Sequence, residues 1–359
     1  MRQAMGTASG GASESTLASA RPRALQVAGA SLARPAMKMA KVALAVGLAA
    51  LGCQAFGQAA DYPAKPIRLV VGFAPGGAAD QVARAMSDAF SKALGQSVVV
   101  DNKPGNGSSI AADFVAKAPA DGYTLLIASP SSISVNPALN PKLLYKPEDL
   151  LPITKMTTSP LVLAVNPDTG IKSVKDLIAA AKKDPGKLNY SSSGNGSAPH
   201  LGAALFGLLT GTEMTHIPYR GGSHAVQSVM AGETQVTFGT SPTVLPMATG
   251  GRLQVLAVST RDPSPLTPDL PGMKDAGLPN YHIEFWYGMF APAGTPSAVV
   301  AKIYEATVAA MKQPSVEAAL ARQGTEVSLS PSPDHFSSFL QEDGKFWVDL
   351  VKSAKVKVD

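Results

Sequence analysis

Apolar residues recur along this chain in two alternating rhythms. At 67–73, 97–101, 124–128 and 161–166 they come as short runs rich in Val, Ile and Leu, bounded by Gly, Pro, Asn or Asp, and these predict strands. Between the first three, over 78–94 and 108–117, the apolar positions fall three and four apart. Val82, Ala85, Met86, Ala89, Phe90 and Ala93 make one face of a helix. A second run follows. A helix is expected over 173–183, with Ser173 as its N-cap and Asp176 three residues on, then a strand at 188–191. The Ser/Gly/Asn loop 191–199 opens a helix reaching 209. A strand at 214–217, a glycine turn at 219–222, a helix at 224–231, a strand at 235–238, a short helix at 242–249 and a strand at 253–258 complete the run.

Five prolines mark 263–279 as an irregular surface loop, and the pattern returns as a strand at 283–291. Helices over 297–312, 315–322 and 333–351 end the chain. Strand–helix alternation of this kind predicts βαβ units and parallel sheets. Two such runs predict two α/β lobes with a cleft between them, a preferred place for a small-molecule site.

The first 60 residues carry a different pattern. Residues 1–36 have no apolar periodicity. From Met37, two lysines (Lys38, Lys41), an apolar run over 42–52 and small residues through Ala60 form the three regions of a secretory signal peptide. Cleavage is expected near 57–60, which places the mature protein in the periplasm. An over-called start, with Met37 or Met39 the true one, and an extended n-region both explain residues 1–36. Cys53 offers a rival reading as a lipidated cysteine, although Ala50-Leu51-Gly52 is a poor approach to one. Either way no cysteine stays within the fold, which must stand on its core, and roughly 300 residues suffice for that.

Charge changes little once the leader is set aside. The chain has 31 Lys/Arg and 26 Asp/Glu; residues 1–60 hold six and one of these, leaving 25 of each. A neutral mature chain gives no reason to expect nucleic acid as a partner.

Candidate chemistry sits in the turns. Four Gly- or Ser-rich loops follow predicted strands, at 73–80, 128–134, 191–197 and 219–222, where α/β sheets bind ligands. Gly76 and Gly77 open a helix whose first N–H groups suit an anion, so the 75–77 turn is expected to supply donors. Asp80, near the third helical position, reads either as a structural cap or as a contact for a ligand ammonium or hydroxyl. Nucleotide motifs are missing: Gly76-Gly77 is not followed by Gly-Lys-Ser/Thr, and Gly194-x-Gly196 lacks its third glycine. Ser193, Ser197 and His200 are grouped as in a hydrolase but without a nucleophile elbow. The five histidines have no metal-ligand spacing, and neither a metal nor a cofactor is expected.

These motifs resemble, in order, the substrate-binding receptors of tripartite tricarboxylate transporters, the TctC or Bug family. The resemblance rests on Phe73-Ala74-Pro75-Gly76-Gly77-x-x-Asp80-x-x-Ala83-Arg84, Asn102-Lys103-Pro104-Gly105 and Ala120-Asp121-Gly122-Tyr123-Thr124-Leu125. It continues through Ser192-Ser193-Gly194-x-Gly196-Ser197 with His200, Ile217-Pro218-Tyr219-Arg220-Gly221-Gly222, and Trp286-Tyr287-Gly288 ahead of Ala291-Pro292-Ala293-Gly294-Thr295-Pro296. It implies a type II periplasmic-binding-protein fold, with lobes at 61–164 plus 285–359 and at 165–284. It implies a monomer that is not an enzyme, and that captures a small di- or tricarboxylate or amino acid for membrane permease subunits. The binding residues it implies are Phe73, Ala74, Pro75, Gly76 and Gly77, with Asp80 beside them; Ser129, Ser131 and Ser132; Ser193, Gly194, Asn195, Gly196 and Ser197, with His200; and Tyr219, Gly221 and Gly222. Phe238-Gly239-Thr240-Ser241 departs from the family pattern of a strand ending in Asp, so Thr240 or Ser241 takes that place. A receptor feeding a sensor or chemotaxis pathway and an exported α/β hydrolase are the alternatives.

Overall fold

The computed structural model describes residues 62–356. The expected signal peptide, its cleavage site and Cys53 lie outside them. Strands β1 (Ile67–Val71), β2 (Val98–Asn102) and β3 (Thr124–Ala128) run parallel in the order β2-β1-β3. Ile67, Leu69, Val70 and Val71 are buried, the reason β1 is a nearly continuous apolar run rather than an alternating one. Helix Ala78–Leu94 lays Val82, Ala83, Met86 and Phe90 into the core and ends at Gly95, which adopts the left-handed conformation.

The two expected parallel sheets are in fact one mixed arrangement. Strand β4 is not the short strand 161–166 but sixteen residues long, Leu150–Val165. Residues 150–160 pair antiparallel with β9 (Glu284–Pro292), which also lies antiparallel to β3. Residues 161–165 pair antiparallel with β7 (Val236–Thr240) and β8 (Gln254–Val258). Strand β5 (Asn189–Ser192) lies parallel between β7 and β6 (Thr215–Pro218). A two-residue strand, β10 (Glu326–Val327), adds to β4. The first half of β4 is hard to read because Pro152, Lys155 and Pro160 interrupt its alternation. The register shifts at 152/154 and 155/157 absorb the first two of those interruptions, and Pro160 falls at the last pair with β9.

The main chain passes from the β1–β3 and β9 side to the β5–β8 side at Pro160/Leu161 and returns at Ile283/Glu284. Ser259, buried at the end of β8, ties both crossings together. Its hydroxyl accepts from Leu161 N–H at 2.7 Å and donates to Ile283 C=O at 2.5 Å, while its amide donates to Leu161 C=O and its carbonyl accepts from Ile283 N–H. Helix Pro333–Ser353 closes the β9 side. Both tryptophans of the chain, Trp286 and Trp347, donate their indole N–H to Asp343 Oδ2, at 2.8 and 2.9 Å. Segment 263–279 carries neither helix nor strand, as its prolines predicted. Among the described residues no helix is long and apolar enough to cross a membrane.

Candidate functional site

The turns that follow β1, β2, β5 and β6 converge on one cavity of about 280 Å³. Phe73 comes from the first turn, residues 105–108 from the second, Ser193, Gly194 and Asn195 from the third, and Tyr219 and Arg220 from the fourth. Phe73 and Ser193 also line a gap of about 10 Å³, where Gly77, Gly222, Thr240 and Tyr287 meet. Neither lining contains an Asp or Glu. Two larger hollows, of about 640 and 830 Å³, lie elsewhere. One is behind the 193–197 loop beside His200 and His216, and the other is on the outer face beside Arg68 and Phe114. Size does not select the site. The convergence of parallel-strand C-terminal ends does, because amide donors and short polar side chains gather there.

The β1 turn is built from within. Asp80 is buried, and its Oδ2 accepts from Gly76 N–H and from Arg84 Nε, both at 2.9 Å, while Oδ1 accepts from Asn102 Nδ2 at 3.0 Å. Burial raises its carboxyl, but the bonds from Arg84, Gly76 and Asn102 outweigh that and hold it below the usual carboxylate range. Asn102 Nδ2 also donates to Phe73 C=O at 3.0 Å. Asp80 is therefore a cap that shapes the turn and does not line the cleft, the first of the two readings above. The expectation that 75–77 supplies donors needs correcting. Pro75 has no N–H, Gly76 donates to Asp80, and Gly77 donates to Ala74 C=O at 3.2 Å. The turn contributes the Phe73 side chain and shape instead. Gly76 has φ +77°, which disfavours any side chain there.

The β5 loop brings Ser193 to the meeting point of the two cavities. Behind it, Ser192 Oγ accepts from Gly194 N–H at 3.1 Å and lies 2.6 Å from His216 Nε2. His200 does not line the cleft. It accepts from Gly196 N–H at Nδ1, 3.1 Å away, and stacks on His216 with centroids 3.9 Å apart. Burial and then the neighbouring His216 push its pKa down to about 3, so it stays a neutral acceptor. The Ser–His pairing that a hydrolase reading would want is therefore made by Ser192 and His216, and Ser192 is buried outside both cavities.

The remaining expected residues divide. Tyr219, Gly222 and Thr240 line the cleft, and Gly221 packs against Ala74. Ser241 Oγ donates to Pro160 C=O at 2.8 Å and is spent on β4. Ser129, Ser131 and Ser132 are buried and line neither cavity. Ser131–Val135 forms a π-helical turn, and Asn136 directly after it donates Nδ2 to Asn106 C=O, Gly107 C=O and Ser109 Oγ at 2.8–3.1 Å. The β3 loop thus supports the β2 turn. The hydroxyls of Ser108, Ser129, Ser131 and Ser197 are buried without a hydrogen-bond partner among the described residues, a state that costs about 1–3 kcal/mol each unless water or ligand completes it.

Residues 105–108 line the cleft although no site role was expected of them, and Arg220 lines it from within the expected 219–222 loop, where it was not singled out. Gly105, Asn106, Gly107 and Ser108 all have positive φ (140°, 47°, 58°, 77°), left-handed backbone that persists where surrounding contacts enforce it. The signal was legible: Gly-Asn-Gly is strong turn chemistry, and it follows a parallel strand just as the four chosen loops do.

Comparison with known proteins agrees with this architecture. Residues 82–356 match the tripartite tricarboxylate transporter family receptor, TctC. Protein BugT of Bordetella pertussis is 34% identical over 326 residues, covering 90% of this chain and all of BugT. Among solved structures, Rpa4515 of R. palustris, determined with adipate, is 32% identical with a TM-score of 0.80, covering 83% of this chain and 99% of its own. The periplasmic binding protein BugD is 29% identical with a TM-score of 0.78, covering 82% of this chain and 99% of its own. The fold is the two-lobed α/β fold of periplasmic binding proteins, and the chain belongs to the tripartite tricarboxylate transporter receptor family, TctC/Bug.

Proposed function

We propose that this protein is a periplasmic receptor that captures a small organic carboxylate and delivers it to the membrane subunits of a tripartite transporter. One observation carries the reading. The cleft where four strand ends meet is lined by hydroxyls, backbone and an arginine, with no carboxylate. Such a lining favours an anion, and hydrogen bonds to a charged group contribute about 1.5–3 kcal/mol each, so a few reach micromolar affinity. Adipate in a relative of the same fold belongs to this chemical class.

The two lobes of this reading are those the resemblance implies, with their first boundary moved from 164/165 to Pro160/Leu161, because β4 exchanges its partners there and residues 161–165 pair with β7. Closure of one lobe on the other brings Phe73 and Tyr287 against Ser193, Gly222 and Thr240 around the ligand. The ligand leaves unchanged, as binding alone is required of a carrier.

A thermal-unfolding screen of di- and tricarboxylates and amino acids tests this. At one hundred times its Kd a true ligand adds about 2.7 kcal/mol and raises Tm by several degrees. Mass spectrometry should recover it unaltered. No shift with any carboxylate would overturn the reading, as would turnover that His200→Ala abolishes.

A further inference from the structure

We infer that Arg220 and the left-handed turn at 105–108 form a second anion seat, one that makes this receptor select doubly charged acids over monoacids and over amino acids. The inference rests on the carboxylate reading above and goes beyond it by assigning the distal charge.

Arg220 is the one charged side chain lining either cleft cavity. It is exposed at the wide end, and no ion pair among the described residues includes it. A guanidinium presents planar donors that match a carboxylate two at a time. The same cavity is walled by Gly105, Asn106, Gly107 and Ser108. There the N–H groups of Asn106 and Gly107 have no hydrogen-bond partner among the described residues, and the Gly107 nitrogen faces Gly194 across the space. Successive amides in such a turn form a concavity for an anion. Asn136 holds the turn in place through three bonds, so the seat is pre-organised.

The narrow end, at Ser193 and Thr240, has hydroxyls and backbone but no charge. Once the walls separate to admit a carboxylate at the narrow end, a diacid spanning both ends places its distal carboxylate at Arg220. An α-amino acid brings an ammonium to a lining that holds a cation and no Asp or Glu, so its positive charge meets repulsion and no counter-charge. A monoacid leaves Arg220 unused.

Titration calorimetry with matched pairs, adipate against hexanoate and succinate against butyrate, tests the seat on wild type, Arg220→Gln and Arg220→Lys. Wild type should prefer the diacid at least tenfold in the better-fitting pair. In Arg220→Gln that ratio should collapse towards one, with the diacid losing tenfold or more. Arg220→Lys, which keeps the charge but not the paired donors, should fall between. An unliganded Tm within a degree or two of wild type excludes misfolding. A diacid preference that survives intact in Arg220→Gln overturns the seat while leaving the carboxylate receptor standing. A wild type that binds monoacids or amino acids as tightly as diacids also overturns it. Failure of every acid to bind wild type removes both readings.

Discussion

Two residues beside the cleft show how a site is held by groups that do not line it. Asp80 occupies the third position of its helix, where a carboxylate favours the dipole, yet its oxygens are filled by Gly76, Arg84 and Asn102. An anion-binding cleft tolerates it because the charge is spent before it reaches the ligand. His200 does the same for the β5 loop, as an acceptor for Gly196 N–H that must be neutral to accept. Its pKa, pushed down to about 3 chiefly by burial, has a consequence for stability. The unfolded histidine takes up a proton below about pH 6.5, whereas the folded one stays neutral until about pH 3. The unfolded state therefore binds more protons in that window, and stability falls as pH falls, by up to about 1.4 kcal/mol per pH unit. Urea unfolding between pH 7 and pH 4 should show this slope in wild type and a shallower one in His200→Asn. Parallel profiles for the two proteins would exclude the role.

At the scale of elements, the decisive feature is β4. One strand serves two sets of partners, β9 first and then β7 and β8, and so forms one of the two connections between the halves. Ser259 binds that connection to the returning one through its hydroxyl and its own amide and carbonyl. Removing the hydroxyl leaves Leu161 N–H buried without an acceptor and takes a donor from Ile283 C=O. Ser259→Ala should therefore lower the free energy of unfolding by about 1–3 kcal/mol. Denaturant unfolding checks this, with a shift in midpoint at unchanged m-value. A loss below about 0.5 kcal/mol, typical of surface substitutions, would mean the crossing does not depend on it.

For the whole molecule, two hydrogen bonds join the β1 turn and its helix to the elements that follow β6 and β7, and a third braces Gln81 within that turn. Gln81 Nε2 lies 3.0 Å from both Gly76 C=O and Pro242 C=O, and Ser223 Oγ donates to Gly76 C=O at 2.8 Å. The two bonds that cross the cleft, to Pro242 and from Ser223, favour the arrangement in which its walls touch. Both sit near the surface and each is worth about 0.5–1.5 kcal/mol. Gln81→Ala combined with Ser223→Ala should shift the population towards separated walls. Stopped-flow binding of a carboxylate ligand should then show several-fold faster association and faster dissociation. Unchanged rates would place the control of opening elsewhere in the fold.

Much of this protein was written locally. Helix Ala78–Leu94, the strands at Thr124–Ala128 and Asn189–Ser192, and the Ser173 cap with Asp176 N–H at 3.1 Å follow from spacing and capping chemistry that act over a few residues. So does the placing of turns at strand ends, and the ordered motifs carried the family. The sequence by itself also showed that nucleotide-binding motifs are missing and that the charge outside residues 1–60 balances. Tertiary structure alone decided three things. It made β4 a long antiparallel strand, because pairing with β9 outweighs the prolines and lysine that disguise it. It tied Asp80 to Asn102, twenty-two positions away, and so fixed the turn in which the Gly76 and Gly77 amides are spent on their near neighbours Asp80 and Ala74. It also brought residues 105–108 and Arg220, more than a hundred positions apart, to one cavity with Ser193. Which polar groups remain free for a ligand depends on which ones the fold has already paired, and the bonds that Asn102 and Asn136 make there are long-range.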